Sequence, residues 1–396
     1  MPTPILVLNC GSSSVKYQVI DADSEAVWAT GLVEKIGLPE GILTHKVPDG
    51  EFVVEAPIPN HDEALRLVVQ AFADHGPALA DVVAVGHRAV HGGELFRETT
   101  IVTQAVIDGM EALAGLAPLH NPPNVTGIRA AQAVLPDVPH VAIFDTAFFA
   151  TLPAEAYTYA IDKDLAKQHS IRKYGFHGTS HSYVSKKTAE VLGRDLKSLK
   201  TIVCHLGNGA SISAVDGGVA VETSMGLTPL PGLVMGTRSG DIDPGVFAYL
   251  GRVAGLDALA VDKVLNKQSG MAGLTGGLSD FRDISAQIAA GDADAKLAMD
   301  VYLHRLVSYI GSYVALLGGT DTLVFTAGVG ENDAAVRAGV CDRLAPLGFK
   351  LDPAANAVRS KEPRVISAPD SPVTILVVPT NEELAMARET VAAIRR

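Results

Sequence analysis

The chain has 396 residues, 47% of them apolar, and 44 Asp and Glu outnumber 32 Lys and Arg to leave a formal net charge of −12. That length exceeds one ordinary core and predicts two domains, and the composition excludes a disordered or fibrous chain. The acidic balance argues against nucleic acid as a partner, because binding a phosphate backbone requires a basic face.

In chain order, residues 4–9, 15–21 and 26–33 read as three consecutive strands, and apolar positions at 64, 65, 68, 69 and 72 mark a helix over 61–75. Further buried strands are predicted at 82–85 and 141–144, with helices at 101–115 and 124–135. A second round follows, with strands at 201–206, 211–215 and 218–223, an amphipathic helix around 296–317, a strand at 323–326, a helix from 334 and a strand at 375–378. Buried strands alternating with helices indicate an α/β fold of two mixed sheets, each covered by helices. The boundary is expected near 150, with domains of 1–150 and 151–382 and a last helix, about 383–396, packing back on the first. The uncharged run 306–320 is shorter than the roughly 20 apolar residues needed to span a bilayer, so no membrane segment is expected. The opening residues lack a basic region followed by an apolar core, so secretion is not expected. The three cysteines, Cys10, Cys204 and Cys341, have no metal-ligand spacing and do not pair evenly. A reducing cytoplasm is the expected compartment.

The two rounds open alike. Ile5–Leu8 breaks into Asn9-Cys10-Gly11-Ser12-Ser13-Ser14-Val15-Lys16, and Thr201–Cys204 breaks into His205-Leu206-Gly207-Asn208-Gly209-Ala210-Ser211. Such Gly- and Ser-rich turns expose backbone N–H groups and small side chains to phosphate oxygens. The cluster around Ser12 therefore reads as phosphate-facing hydroxyls. The chain has no Gly-x-x-x-x-Gly-Lys-Ser/Thr, which excludes the common P-loop, and no Gly-x-Gly-x-x-Gly, which weakens the dinucleotide-binding and protein-kinase readings; Gly-x-Ser-x-Gly is absent too. The pairs His87/His91 and His177/His181 have a spacing that fits two metal-binding imidazoles on a helix, but the flanking glycines argue for loops. Anion recognition is the better use: Arg88, His177 and Arg238 each stand beside flexible backbone. Phosphoryl transfer needs this equipment, because positioned Arg, His and a divalent metal stabilise its dispersed negative charge. Mg²⁺ takes oxygen ligands and keeps several waters, so Glu382 helped by Asn9 suffices. Glu382 also fits as a helix-terminal carboxylate favoured by the macrodipole.

The segments HRAVHGGE (87–94), APLHNPPN (117–124), FDTAF (144–148), YGFHGTSH (174–181), HLGNGAS (205–211), MGTRSGDIDPG (235–245), SDFRD (279–283), TAGVGEN (326–332) and PTNEEL (379–384) resemble those of the acetate and propionate kinase family. With Asn9 to Lys16, they span nearly the whole chain. The resemblance implies two duplicated ribonuclease H-like domains of the actin-like ATPase kind with an interdomain cleft, and reversible transfer of the ATP γ-phosphoryl group to acetate, giving acetyl phosphate and ADP. It implies Mg²⁺, with Mn²⁺ possible, at Asn9 and Glu382, and nucleotide contacts from Lys16, His205, Leu206, Gly207, Asn208, Gly209, Asp280, Phe281, Arg282, Gly328, Val329, Gly330, Glu331 and Asn332. Substrate contact falls to Arg88, transition-state stabilisation to His177 and Arg238, and the active centre to Asp145. Val90, Leu119, Phe176 and Pro229 form the implied acyl pocket, with His120 nearby. A homodimer formed through the second domain is also implied.

Three departures stand out: Cys10 at a position usually small, Phe149 where His is common, and Pro231 where an acidic residue is frequent. The alternatives are a propionate or butyrate kinase, distinguished by pocket size, and a non-catalytic ATP switch of the same superfamily. A switch has no need for Arg88, His177, Arg238 and an acyl pocket together.

Overall fold

The computed structural model describes residues 2–396, and its contacts divide the chain into two units, Met1–Ala150 with Asn381–Arg396, and Thr151–Thr380. In the first unit the strands are β1 (Pro4–Cys10), β2 (Val15–Asp21), β3 (Val27–Glu34), β4 (Gly41–Val47), β5 (Gly50–Ala56), β6 (Ala84–Ala89), β7 (Thr100–Ile101) and β8 (His140–Phe144). They form one sheet in the order β5-β4-β3-β2-β1-β6-β8-β7. β1 to β5 make an antiparallel meander, whereas β6 runs parallel to β1 and β8 parallel to β6.

Three strands were expected before the first helix, and five are present. β5 is the sheet edge and leaves Val53 and Val54 exposed, so the alternation that marks a half-buried strand is weak there. The helix His61–His75 begins at Asn60, whose side chain accepts the Glu63 N–H, a favoured N-cap. Its Leu65, Val68 and Phe72 join Leu6, Leu8, Tyr17 and Val19 in the core on one face of the sheet. A second cluster of Ile107, Met110, Val125, Ile128 and Phe144 is also buried in this unit. The helix expected over 101–115 starts later, at Gln104, because residues 100–101 pair with β8 as β7 and Thr103 caps the helix.

The helix Glu382–Ile394 packs on β1, β2, β6 and β8. A Cβ at Gly86 would lie 2.4 Å from Thr390 Oγ1, so the bare glycine is what admits this helix.

The second unit holds β9 (Lys200–Leu206), β10 (Ala210–Asp216), β11 (Val219–Thr223), β12 (Thr322–Thr326), β13 (Arg364–Val365) and β14 (Thr374–Val377), in the order β11-β10-β9-β12-β14-β13. β9 to β11 are antiparallel, and β12 and β14 continue in parallel. The run β11-β10-β9-β12-β14 repeats β3-β2-β1-β6-β8, a duplication of topology that literal sequence identity hides. The helix Ala293–Leu317 is capped by Asp292 and ends at Gly318 in the left-handed conformation.

One expectation fails here. The stretch after His177 was read as a loop from its glycines, but Gly178–Leu192 is a helix with His177 at its N-cap. Gly178 is the first residue of that helix, where glycine costs little, and not an interior breaker. Among the described residues no helix is long and apolar enough to cross a membrane.

Candidate active site

In the first unit the chemistry gathers where parallel strands end, as is general for open α/β sheets. Asn9 stands near the end of β1 and Arg88 near the end of β6, while Asp145 follows β8. The register pairs Arg88 with Ile143 and Ala89 with Phe144, which brings the arginine beside the aspartate. Arg88 Nη2 donates to Asp145 Oδ2 at 2.7 Å, and Nε reaches Oδ1 at 3.1 Å and Oδ2 at 3.2 Å. Asp145 is buried, and its field holds the Arg88 guanidinium above its ordinary range. Nη1 has no hydrogen-bond partner among the described residues, so one edge of the fork is left for a ligand.

Glu382 opens the C-terminal helix nearby. Burial pushes its carboxyl up to about 6; Arg88 and Lys16 oppose the shift, and Asp145 and Glu383 add to it. Lys16, opposite Asn9 across the β1–β2 hairpin, forms an ion pair with Glu383. The part-buried Asn9 side chain makes no hydrogen bond among the described residues. Ser12 lies exposed in the same turn, which Gly11 N closes by donating to Ser14 O at 2.8 Å.

These donors fit a hard divalent cation. A crowded carboxylate with an uncommitted amide offers oxygens and a charge to be neutralised. Among the described residues no three His, Cys, Asp or Glu side chains converge as a metal cage, so such an ion would be held by few protein ligands and water. The histidine pairs are not such a cage: His87 Nε2 is 2.9 Å from His140 Nδ1, and His181 is held by two serines.

Val90, Leu119 and His120 also belong to this unit. Val90 is part-buried and its N–H donates to Asn124 Oδ1 at 3.1 Å, while Leu119 is 67% exposed. His120 precedes the helix Asn121–Val134. Asn124 also donates from Nδ2 to Cys10 O at 2.8 Å, tying Val90 to the end of β1. Cys10 itself is buried, its thiol pushed up to about 12 by that burial, and Phe149 is a buried core side chain.

The second unit carries the remaining residues. His177 adopts a left-handed backbone with φ of 61°, a conformation non-glycine residues hold only under constraint from their surroundings. Its ring stacks on His205 at 4.4 Å, and its Nδ1 is 2.9 Å from Ser211 Oγ. A Cβ placed on Gly209 would sit 3.5 Å from both His177 Nε2 and Arg238 Nη1, so imidazole and guanidinium flank the same turn.

Arg238 Nη1 donates to Pro229 O at 3.2 Å, and burial lowers its pKa. The loop is pinned by Gly236 N donating to Asn208 O at 2.9 Å and Met235 N to Arg238 O at 3.1 Å. A Cβ on Gly236 would overlap Asn208 Oδ1 at 1.9 Å, which is why glycine stands there. Phe176, which precedes His177, is buried.

A cavity of about 440 Å³ opens in this unit, lined by Gly207, Asn208, Asp280, Phe281, Arg282, Gly328, Val329 and Asn332, together with Ser279, Asp333 and Arg359. That volume suits a nucleotide-sized ligand. Arg282 Nε donates to Asp280 Oδ1 at 3.0 Å and holds that carboxyl down to about 2. Glu331 Oε1 accepts from Ala327 N at 2.8 Å and Thr380 N at 3.2 Å, bracing the glycine turn from inside. Leu206 and Gly330 are buried, and His205 Nδ1 is 2.8 Å from Ser180 Oγ.

Sequence reasoning gave no role to Asn124, Ser211 or Arg359. Asn124 and Ser211 close motifs read for other residues, and nothing in the sequence marks Arg359.

A family profile described as the Acetokinase family matches residues 4–388. The acetate kinase of Leifsonia xyli subsp. xyli is 57% identical over 392 residues, 98% of each chain, and that of Clostridioides difficile is 51% identical over 397, covering 99% and 100%. Among solved structures, acetate kinase from Porphyromonas gingivalis has a TM-score of 0.94 at 44% identity, covering 99% of this chain and 100% of that one. A propionate kinase from Francisella tularensis has a TM-score of 0.93 at 42% identity, covering 98% and 99%.

Proposed function

The chain belongs to the acetokinase family and is an ATP:acetate phosphotransferase, and we propose that it acts by direct in-line transfer of the γ-phosphoryl group to the acetate carboxylate, reversibly and without a phosphoenzyme. The observation that carries this reading is Arg88, held through Nε and Nη2 by a buried Asp145 and open at Nη1, beside the crowded carboxylate of Glu382.

Acetate resembles an Asp or Glu side chain, whose reference pKa is near 4, so it is ionised at neutral pH and needs no base. Asp145 therefore orients Arg88, and Arg88 pairs with the substrate carboxylate. The cavity bounded by Gly207, Asp280 and Gly328 would take the nucleotide, its phosphates at the Gly207–Gly209 turn beside His177 and Arg238. Those two side chains would follow the charge on the transferring group, which is worth most in the transition state. Glu382 with Asn9 would hold Mg²⁺ or Mn²⁺, which when bound neutralises phosphate charge.

Val90 and Leu119 are the apolar side chains of the first unit that we assign to the acyl group. A hydroxamate-trapping assay with acetate, propionate and butyrate tests the activity and its chain-length preference together. Turnover of acetate no faster than that of butyrate would refute the assignment.

We further propose a homodimer through the second unit. The helix Gly245–Ala254 has no buried residue, and Tyr249, Val253 and, just beyond it, Leu259 are 56%, 60% and 81% exposed. Apolar surface of this kind marks an interaction face, and a second copy is the partner we assign to it. A cytoplasmic location is supported by three cysteines that are free and buried.

A further inference from the structure

Behind His177 lies a row of buried hydroxyls and imidazoles that neither binds ligand nor fills space as apolar side chains would. Ser211 Oγ is 2.9 Å from His177 Nδ1 and 2.7 Å from His181 Nε2, and His181 Nδ1 is 2.7 Å from Ser213 Oγ. Ser211, Ser213 and His181 are all fully buried. We infer that Ser213, His181 and Ser211 form a directed hydrogen-bond chain that fixes the proton of His177 on Nε2, making the imidazole a donor toward the Gly209 turn without requiring it to be charged.

The direction follows from counting protons. Burial, with a contribution from His205, holds His181 well below the ordinary imidazole range, so it is neutral and carries one N–H. Ser211 has one hydroxyl proton for two imidazoles; accepting from both would leave that buried proton without a partner, so it donates to one and accepts from the other. Two registers exist. In the first, Ser213 donates to His181 Nδ1, His181 Nε2–H donates to Ser211, and Ser211 donates to His177 Nδ1. In the second, every bond reverses.

The second register leaves the Ser213 hydroxyl proton without an acceptor, since among the described residues His181 is the one partner of that side chain, and a buried unsatisfied donor is unfavourable. The first register satisfies every group. His177 Nδ1 is then an acceptor, and the neutral ring holds its proton on Nε2, the atom beside Gly209 and Arg238. The charged or titratable neighbours are His205, stacked on the ring, Arg238 at the same turn, and His181 one hydroxyl away.

This inference rests on the reading of His177 as a donor to the transferring phosphoryl group, and Ser211, His181 and Ser213 are positioning residues in it. Long-range ¹H–¹⁵N correlation spectra of the full-length ¹⁵N-labelled protein at pH 8, with His177→Gln to assign the signal, read the tautomer directly. The expected spectrum shows an unprotonated Nδ1 and a protonated Nε2 at His177, and a protonated Nδ1 there would overturn the chain.

Kinetics supply the second readout. In Ser211→Ala the neutral ring is free to tautomerise, so only the imidazolium guarantees an Nε2–H. Its kcat relative to the unmodified protein should fall between about pH 6 and 8.5 as the neutral ring takes over, by about twofold where the two tautomers are equally populated, with KM for ATP unchanged. A uniform loss across pH would overturn the inference. Should His177→Ala keep full kcat, the reading of His177 fails while the tautomer measurement still decides the chain.

Discussion

The Arg88–Asp145 pair is asymmetric, and that asymmetry has a measurable consequence. The Arg88 side chain is 24% exposed and the Asp145 side chain 2%. Arg88→Ala strands a carboxylate that water cannot reach, next to the already crowded Glu382. Removing one partner of a buried ion pair costs about 3–5 kcal/mol. Asp145→Ala instead leaves a guanidinium that is partly hydrated and still faces Glu382 and Glu383, so its loss should be nearer the about 1.5–3 kcal/mol of a charged hydrogen bond. The double variant should be less destabilised than the sum of the two, because the stranded charge is gone. The chain's single tryptophan, Trp28, packs against the core of the first unit, so its fluorescence in urea reports the unit that holds the pair. Equal midpoints for the two single variants, or a larger loss in Asp145→Ala, would refute the idea that Asp145 is the buried, dependent partner.

Arg238→Ala should lower kcat by about a hundredfold or more with a smaller change in nucleotide KM, since the side chain is assigned to the transition state; equal losses in both would count against it in steady-state assays. Val90→Ala should move preference toward propionate in a graded way, as a methylene is worth about 1–3 kcal/mol, and an unchanged chain-length profile would point to another pocket wall. Glu382 gives a pH signature in the metal-free protein. Its folded-state pKa is raised from 4.5 to about 6, so the native state binds the extra proton between those values. The stabilisation is present below pH 4.5 and lost as pH rises through 6, about 2 kcal/mol in all. Melting curves of Glu382→Gln should lack that fall, and parallel curves for the two proteins would sink the assignment. If the proposed homodimer forms through this helix, Tyr249→Lys with Val253→Asp should give monomer in sedimentation velocity where the unmodified protein gives dimer, without lowering the melting temperature of the second unit, because neither side chain is buried within the chain.

The strands that carry the site were legible because they are short, buried, largely apolar runs that break into turns rich in Gly and Ser. Residues 4–9 and 201–206 were read as strands and are strands. Elements defined by position were not legible. β5 is an exposed edge, and Gly178–Leu192 hid behind glycines whose meaning depends on where the helix begins.

The residue types needed for phosphoryl transfer stand out along the chain, but their electrostatics do not. That Asp145 is the buried partner of Arg88, or that Glu382 titrates near 6, depends on which carboxylates share a strand end. The histidines show the limit most clearly. His177 and His181 invite a metal reading at their spacing of four, yet one faces the Gly209 turn and the other is locked between Ser211 and Ser213. What separates them is strand β10, whose alternation puts Ser211 and Ser213 on the same face of the sheet and so supplies two hydroxyls in line. Spacing along one segment proposes a ligand pair, while the facing segment decides that the pair is a donor and its support.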